Sequence, residues 1–375
     1  MHIAIDAREL EGRRTGVGTY LGQLLQEWGR MPAAAAHRWT LYLPGGARRE
    51  DATGPADRSV TKGAGAGAFE RRLVPGCAGT WWEQRALAAA IRRDRPDVLF
   101  APGYTAPLAT SVSVVLTVHD LSFFAHPEWF NPRQGFRRRL VTRWSARRAR
   151  SILTVSEFSK GEIVRWLGVP AARVHVIRHG VSRPTSPPSP PQARPPLVLY
   201  VGTILNRRRV PDLIRAFASV LPAVPDARLE IVGDNRTHPP EDLNGLASSL
   251  GASDRVTLRS YVPDEELASL YGRARAFAFL SEYEGFGLTP AEALAHSVPI
   301  VVLDTPVARE VYGDAALYVR SGDIRATGDA LTRLMTDSAL RAAQLQNAQA
   351  VLARYCWPEA ARLTLDVIEQ AGVRG

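Results

Sequence analysis

Short apolar runs alternate with stretches of helical period from the first residues onward. Ile3 to Ala7 reads as a strand and about Gly18 to Gly29 as the helix after it, with further strands expected near Val98 to Ala101, Val114 to Val118 and Ile152 to Val155. This is the rhythm of a parallel sheet covered by helices. Residues 184–196, PTSPPSPPQARPP, carry seven prolines and read as a semi-rigid connector, because proline can continue neither a helix nor an interior strand. Beyond it the rhythm restarts at Leu197 to Val201 and continues through Leu229 to Val232, Val256 to Leu258, Ala276 to Leu280, Ile300 to Leu303 and Ala316 to Val319. Pro358 to Ala371, with Ala361, Leu363, Leu365 and Ile368 at helical spacing, reads as a closing helix. The expected organisation is an N-terminal α/β domain over 1–183, a linker over 184–196, a second α/β domain over 197–357, and a helix over 358–375 packing back on the first domain. Two open α/β domains place a ligand in the cleft at the carboxyl ends of their strands.

Composition changes this picture little, and charge changes it more. A hydrophobic share of 45% beside 22% charged residues describes an ordinary globular chain, and 375 residues suit two cores better than one. The two cysteines, Cys77 and Cys356, have neither metal-ligand spacing nor disulfide density, and the chain opens on a strand without a signal-peptide pattern. A cytoplasmic setting is expected, with any membrane contact peripheral, since no run of about 18 apolar residues occurs. Residues 1–190 hold 28 Lys+Arg against 15 Asp+Glu, whereas the remainder holds 19 against 22. The basic first half reads either as a solvated surface or as attraction to polyanions such as phospholipid.

Candidate chemistry concentrates at two turns. In Glu284-Gly285-Phe286-Gly287-Leu288-Thr289-Pro290-Ala291-Glu292, two glycines allow a tight turn and close backbone approach. Thr289 reads as the N-cap of a helix, Pro290 as its first residue and Glu292 as the partner in a capping box. Such a turn aims free amides and a helix dipole at an anion, as a diphosphate would require. Glu292 thus has a purely local explanation, whereas Glu284 precedes the turn and has none. After Leu197 to Val201, Gly202-Thr203-Ile204-Leu205-Asn206-Arg207-Arg208-Arg209 places three guanidinium groups at a strand-to-helix turn, suited to bidentate phosphate contacts or to a solvated charge run.

The carboxylate pair Glu284 and Glu292, with seven residues between them, resembles the signature of family 4 of the retaining glycosyltransferases. Val201-Gly202-Thr203 through Arg207-Arg208-Arg209 is similar to the family's Arg-Lys turn, with Arg208 at the lysine position and Arg209 where Asn is common. Thr15-Gly16-Val17-Gly18, Val118-His119-Asp120, Val155 to Ser159, Tyr261-Val262-Pro263-Asp264 and Val307 to Val311 extend the resemblance over nearly the whole length. Gly233-Asp234-Asn235 and Arg178-His179-Gly180 depart from it. The resemblance implies a GT-B fold, two facing Rossmann-like domains with an interdomain cleft. It implies that Glu292 binds the nucleotide ribose, that Glu284 approaches the donor sugar, and that Arg207 and Arg208 neutralise the leaving diphosphate. The amides of Phe286, Gly287, Leu288 and Thr289 would complete the cradle, Gly16 and Gly18 would close on it, His119 would meet the transferred sugar, and Val262 would lie beside the base.

Breaking a sugar–phosphate bond demands positive charge at the phosphates. Arg207, Arg208 and the helix terminus meet that demand, and no Asp-x-Asp pair occurs, so metal-independent catalysis without a cofactor is expected. Thr117 to Phe124, followed by His126 to Phe130, is similar to segments of bacterial mannosyltransferases of polysaccharide assembly, which points to GDP-mannose as donor, although UDP-glucose and other donors share the frame. A saccharide or lipid-linked acceptor is expected on the first domain, near Trp81-Trp82-Glu83-Gln84 or the run Arg133 to Arg150, with its eight arginines and no acidic residue. Phe136, Leu140 and Trp144 in that run either rest on an anionic membrane or pack into the core. The rival readings are a nucleotide-sugar epimerase on the same frame and a nucleic-acid-binding protein. The second lacks any accompanying motif.

Overall fold

A computed structural model describes residues 1–11, 15–46, 69–184 and 194–373. The chain divides into two compact units, Met1–Gly180 with Cys356–Gly375, and Val181–Tyr355. The boundary falls ahead of the Pro-rich stretch, of which residues 185–193 lie outside the described residues. Arg194, at its end, is buried and donates to the carbonyls of Ala274, His296 and Ser297 at 2.9–3.0 Å, which ties the entry of the second sheet to two of its helix ends.

The first unit holds seven parallel strands: β1 (His2–Asp6), β2 (Arg38–Pro44), β3 (Phe69–Val74), β4 (Val98–Ala101), β5 (Ser113–Thr117), β6 (Ser151–Thr154) and β7 (Val174–Val176), in the order β3-β2-β1-β4-β5-β6-β7. The second holds six: β8 (Leu197–Val201), β9 (Arg228–Val232), β10 (Val256–Arg259), β11 (Ala276–Phe279), β12 (Ile300–Leu303) and β13 (Ala316–Val319), in the order β10-β9-β8-β11-β12-β13. Both are doubly wound sheets whose order reverses beside their first strand, between β1 and β4 and between β8 and β11. Strands such as β4, β8, β11 and β12 are buried at every position, as a parallel sheet covered on both faces requires, and so read as continuous apolar runs.

The last helix, Trp357–Gly372, belongs to the first unit. Its Ala361, Leu365 and Ile368 join Ile3, Leu24, Trp28 and Phe100 in one core, and Trp28 Nε1 donates to the Ala361 carbonyl at 2.9 Å. The basic helix spans Pro132–Arg148 and is capped by Asn131, whose side chain accepts from the amides of Arg133 and Gln134. Core packing of its large apolar residues is overturned: Phe136, Leu140 and Trp144 are all exposed, and the helix buries Gly135, Thr142, Ser145 and Ala146 instead, with Ala146 in one core with Val114 and Leu116 of β5. Small side chains bring the helix close to the sheet and turn its large ones outward.

Candidate functional site

In the second unit the two chemistry-bearing turns leave neighbouring strands. β8 and β11 pair directly, and the segments beyond their carboxyl ends meet at the topological switch point, where open α/β sheets bind ligands. The Glu282 amide donates to the Arg207 carbonyl at 2.9 Å and joins the two segments. Arg207 Nε donates to the Tyr283 carbonyl at 3.0 Å, and its Nη2 lies 3.4 Å from each oxygen of Glu284. Arg208 Nε donates to Glu284 Oε1 at 3.0 Å, and Nη1 donates to the Thr203 carbonyl at 2.8 Å. The Arg208 guanidinium also sits 5.0 Å from the centre of the Phe279 ring. Ser281 Oγ donates to Glu284 Oε1 at 2.8 Å, so the carboxylate is held from three sides. Burial opposes the charge on Arg208, but Glu284 and Tyr200 more than offset it and raise its pKa, leaving the guanidinium charged.

The third arginine has a different task. Arg209 occupies the left-handed region at φ 46°, which asparagine adopts more readily than arginine. Its Nε donates to Asp212 at 2.6 Å and its Nη1 to Glu282 at 3.0 Å, which fixes the start of the Val210–Ala218 helix. The charge run is therefore neither wholly solvated nor wholly available to a ligand.

The expected helix start needs correction. The helix spans Leu288–Ala295, its N-cap is Gly287 rather than Thr289, and no side chain caps it. Gly287 has φ 88°, and a Cβ there would come within 2.1 Å of the Tyr312 hydroxyl, which donates to the Gly287 carbonyl at 2.7 Å. Glycine is required both by the backbone and by the approach of Tyr312. Thr289 and Pro290 thus become the second and third helical residues, where proline is still tolerated. The amides of Leu288 and Thr289 lie in the first turn and have no carbonyl one turn earlier within the helix. Phe286 packs its ring against Tyr355 at 4.9 Å, so only its backbone faces any ligand role.

The capping box fails with the helix start. Glu292 instead accepts from the Tyr271 hydroxyl at 3.3 Å, and burial, with a smaller contribution from Asp264, raises its pKa to about 7 against the opposing Tyr271 hydrogen bond. A carboxyl group so poised can accept or donate hydrogen bonds near neutrality. Val262 is buried between β10 and the Asp264–Arg273 helix.

Gly16, Gly18 and His119 belong to the first unit. Thr15 caps the Gly16–Trp28 helix by accepting from the Gly18 amide at 3.0 Å. A Cβ on Gly18 would meet the Glu9 carbonyl oxygen at 2.4 Å, so its absence is structural, whereas a Cβ on Gly16 would meet nothing within 4 Å. His119 follows β5, and its Nε2 lies 2.8 Å from the Pro102 carbonyl, an acceptor, so Nε2 carries the proton. Burial lowers its pKa, and the neutral ring stacks on His179 at 5.5 Å and meets Tyr20 edge-on at 5.0 Å. Of the tetrad considered for the acceptor, Trp82 and Glu83 are buried. Glu83 accepts from Arg8 at 2.6 Å and Thr105 at 2.7 Å, and only Trp81 is broadly exposed.

Sequence reasoning missed Ser281, Phe279, Tyr271 and Tyr312, which position the site from behind. Ser281 and Phe279 border the strand end that carries Glu284, a local signal that was present. Tyr271 and Tyr312 arrive from other helices, and no local spacing marks them. Among the described residues no three His, Cys, Asp or Glu side chains are grouped as a metal site.

Residues 182–351 match the model of glycosyl transferases group 1, and residues 14–183 match that of glycosyltransferase family 4. The O-antigen chain mannosyltransferase B of Escherichia coli is 29% identical over 294 residues, covering 75% of this chain and 76% of that protein. O-antigen chain mannosyltransferase RfbU of Salmonella typhimurium is 28% identical over 249 residues, 66% of this chain and 68% of that one. Sucrose-phosphate synthase from Thermosynechococcus elongatus superposes with a TM-score of 0.76 at 19% identity, covering 99% of this chain and 98% of its own. The Anabaena protein HepE in complex with UDP and glucose superposes with a TM-score of 0.74 at 17% identity, covering 98% and 99%. With its two doubly wound sheets and these relatives, the chain belongs to family 4 of the glycosyltransferases, of GT-B fold and similar to bacterial mannosyltransferases.

Proposed function

We propose that this glycosyltransferase moves a hexose, with mannose from GDP-mannose as the first candidate, from a nucleotide sugar to a saccharide or lipid-linked acceptor with retention of configuration and without a metal. The observation that carries the reading is the convergence of Arg207, Arg208 and Glu284 beside the Gly287 turn. Two mannosyltransferases among the relatives support the donor sugar, and the Anabaena structure with UDP and glucose supports a nucleotide sugar in general. The named relatives are transferases, which does not favour an epimerase.

The reaction breaks the bond between the sugar C1 and a phosphate oxygen and forms one from the acceptor oxygen to C1. On the retaining route the acceptor attacks the face that the diphosphate leaves, and its hydroxyl proton passes to the departing phosphate. Arg207 and Arg208 then stabilise charge that grows on the diphosphate, and the Leu288 and Thr289 amides extend that field. Glu284, which holds both guanidinium groups without a donor, receives a sugar hydroxyl when the diphosphate takes its place on the arginines. Glu292 accepts the ribose hydroxyls. His119, neutral and with its Nε2 proton committed to Pro102, offers Nδ1 as an acceptor to the transferred sugar.

A thermal-shift panel of nucleoside diphosphates, followed by transfer assays with the preferred sugar nucleotide in the presence and absence of chelator, tests each part. GDP should give the largest shift, GDP-mannose an α-linked product by NMR, and chelator no loss of rate. A larger shift with UDP would overturn the donor, an inverted product the stereochemistry, and chelator-sensitive turnover the metal independence.

A further inference from the structure

The helix Pro132–Arg148 is inverted relative to an ordinary surface helix of a globular domain. Its buried side carries Gly135, Thr142, Ser145 and Ala146, while Phe136, Leu140 and Trp144 stand 63%, 47% and 48% exposed. Each of these large side chains is four residues from the next, so each advances only about 40° around the axis and the three form one stripe along more than two turns. Single exposed hydrophobics need no explanation, but an aligned stripe presented by the packing of small residues does.

The surroundings of the stripe say what fits it. The helix contains seven arginines and no acidic residue. Among the described residues, none of those arginines has a carboxylate within ion-pairing reach. Arg138 stacks on Phe123 at 4.2 Å, and Arg139 and Arg143 donate to the carbonyls of Phe123 and Trp166. Arg133, Arg137, Arg147 and Arg148 stay exposed at the ends and flanks of the stripe. At the far end, Arg148 and Arg150 line a recess of about 540 Å³ together with Thr110, Ser111 and Ser113, a set of donors suited to a phosphate. Uncompensated cations around a protruding apolar ridge match an interface that is apolar inside and anionic outside. A protein partner would need a groove for the ridge and carboxylates for every flank, whereas a bilayer of anionic lipid supplies both without specific shape. No helix among the described residues is long and apolar enough to cross a membrane.

We infer that the helix Pro132–Arg148 docks this glycosyltransferase on an anionic lipid surface, with Phe136, Leu140 and Trp144 inserted among the acyl chains and the flanking arginines on lipid phosphates. The arginine stems extend along the apolar zone while their guanidinium groups stay at headgroup level. This docking is independent of the donor and acceptor, and the test uses neither.

Co-sedimentation of the full chain with vesicles of pure phosphatidylcholine and of an equal mixture with phosphatidylglycerol measures it. The wild type should bind the mixed vesicles alone and lose at least about tenfold in affinity when salt is raised to about 0.5 M. The triple variant Phe136→Ser, Leu140→Ser, Trp144→Ser should keep its melting temperature and lose at least about tenfold in vesicle binding. Should that variant fold poorly, Arg133→Gln, Arg137→Gln, Arg147→Gln should weaken binding similarly, and brominated lipid should quench wild-type tryptophan fluorescence. Failure to bind mixed vesicles at low salt overturns the inference. So does binding that both variants retain in full, or a dimer in sedimentation equilibrium that the serine variant alone dissolves, which would assign the stripe to a second copy of this chain.

Discussion

Arg207 and Arg208 are neighbours in sequence but differ in what the fold asks of them. Arg207 makes long 3.4 Å contacts to Glu284 and donates to the Tyr283 carbonyl at 3.0 Å, whereas Arg208 bridges Glu284 and the Thr203 carbonyl over Phe279. Arg207→Ala leaves Glu284 paired with Arg208 and Ser281, so it should unfold within about 1 kcal/mol of wild type in urea while transfer falls at least about 100-fold. Near-normal turnover in a well-folded Arg207→Ala protein would remove this residue from the mechanism. Arg208→Ala should instead cost about 2–4 kcal/mol of stability, because it takes the closest charged partner from a largely buried carboxylate. Glu292 gives a pH test. Its folded-state pKa of about 7 lies above the ordinary 4.5, so between those values the folded chain holds a proton that the unfolded chain has released. Its contribution is fully present below about 4.5 and is lost as pH rises through 7. Denaturant curves at pH 5 and 8 should therefore show a pH-dependent loss of up to roughly 3 kcal/mol in wild type that Glu292→Gln lacks. The same variant should weaken donor binding about tenfold at pH 8 if it takes the ribose hydroxyls, since it removes an ionised acceptor. Unchanged donor affinity would dissolve that assignment. The position of Glu292 was legible in its spacing, but its environment was not: Tyr271 comes from the preceding helix, on the other side of β11 in the chain, and a capping box is the local pattern that any Thr-x-x-Glu presents.

Elements were legible where burial is uniform and illegible where it is not. Strands β8, β11 and β12 are buried at every position, and their apolar runs mark them directly. The sequence reading passed over β2, β3 and β7. β3, FERRLV, lies at the sheet edge with its charges outward, and β7 has only three residues, so neither carries a continuous apolar signal. The start of the Leu288–Ala295 helix was misplaced by two residues because Gly287, which caps through its left-handed backbone, has no side-chain signature, while Thr289 has a strong one. The orientation of the basic helix stayed open for a related reason: four-residue apolar spacing says that three side chains share a face, not which way that face points. In the other core of the first unit, the Trp357–Gly372 helix is seated by a close approach of backbone to ring. A Cβ on Gly180 would lie 2.3 Å from Trp357 Cγ and 2.4 Å from its amide nitrogen. Neither atom can yield cheaply, since the Trp357 ring packs on His179 and its backbone begins the helix. Gly180→Ala should therefore destabilise the first unit by about 1–3 kcal/mol, read as an earlier tryptophan-fluorescence transition in urea, with the second unit unmoved. A transition at the wild-type midpoint would mean that the helix can shift without loss.

At the scale of the whole chain, two sheets of the same order are used by different groups of residues. Every residue assigned to diphosphate, ribose, base and sugar-cradle contacts, from Arg207 and Arg208 through Val262 to Glu284, Phe286–Thr289 and Glu292, lies within Val181–Tyr355. Gly16, Gly18, His119 and the basic helix lie in the other unit. The two rhythms and the Pro-rich stretch made two domains legible, but strand order was not, because it is decided by pairings such as β8 with β11 across some 75 residues, beyond any local pattern. The two units also differ in continuity. Val181–Tyr355 is one uninterrupted segment, whereas Met1–Gly180 shares its core with Cys356–Gly375. Removing that last segment would expose Ile3, Leu24 and Trp28 of the first unit. Residues 181–355 expressed alone should fold and bind nucleoside diphosphate within about tenfold of the full chain by calorimetry, but transfer no sugar. Residues 1–180 alone should be poorly soluble, and adding back 356–375 as a peptide or a fusion should rescue them. If the isolated second unit folds yet loses nucleotide affinity by far more than tenfold, the diphosphate site needs the first unit, and assigning it to Arg207, Arg208 and the Gly287 turn alone would be wrong.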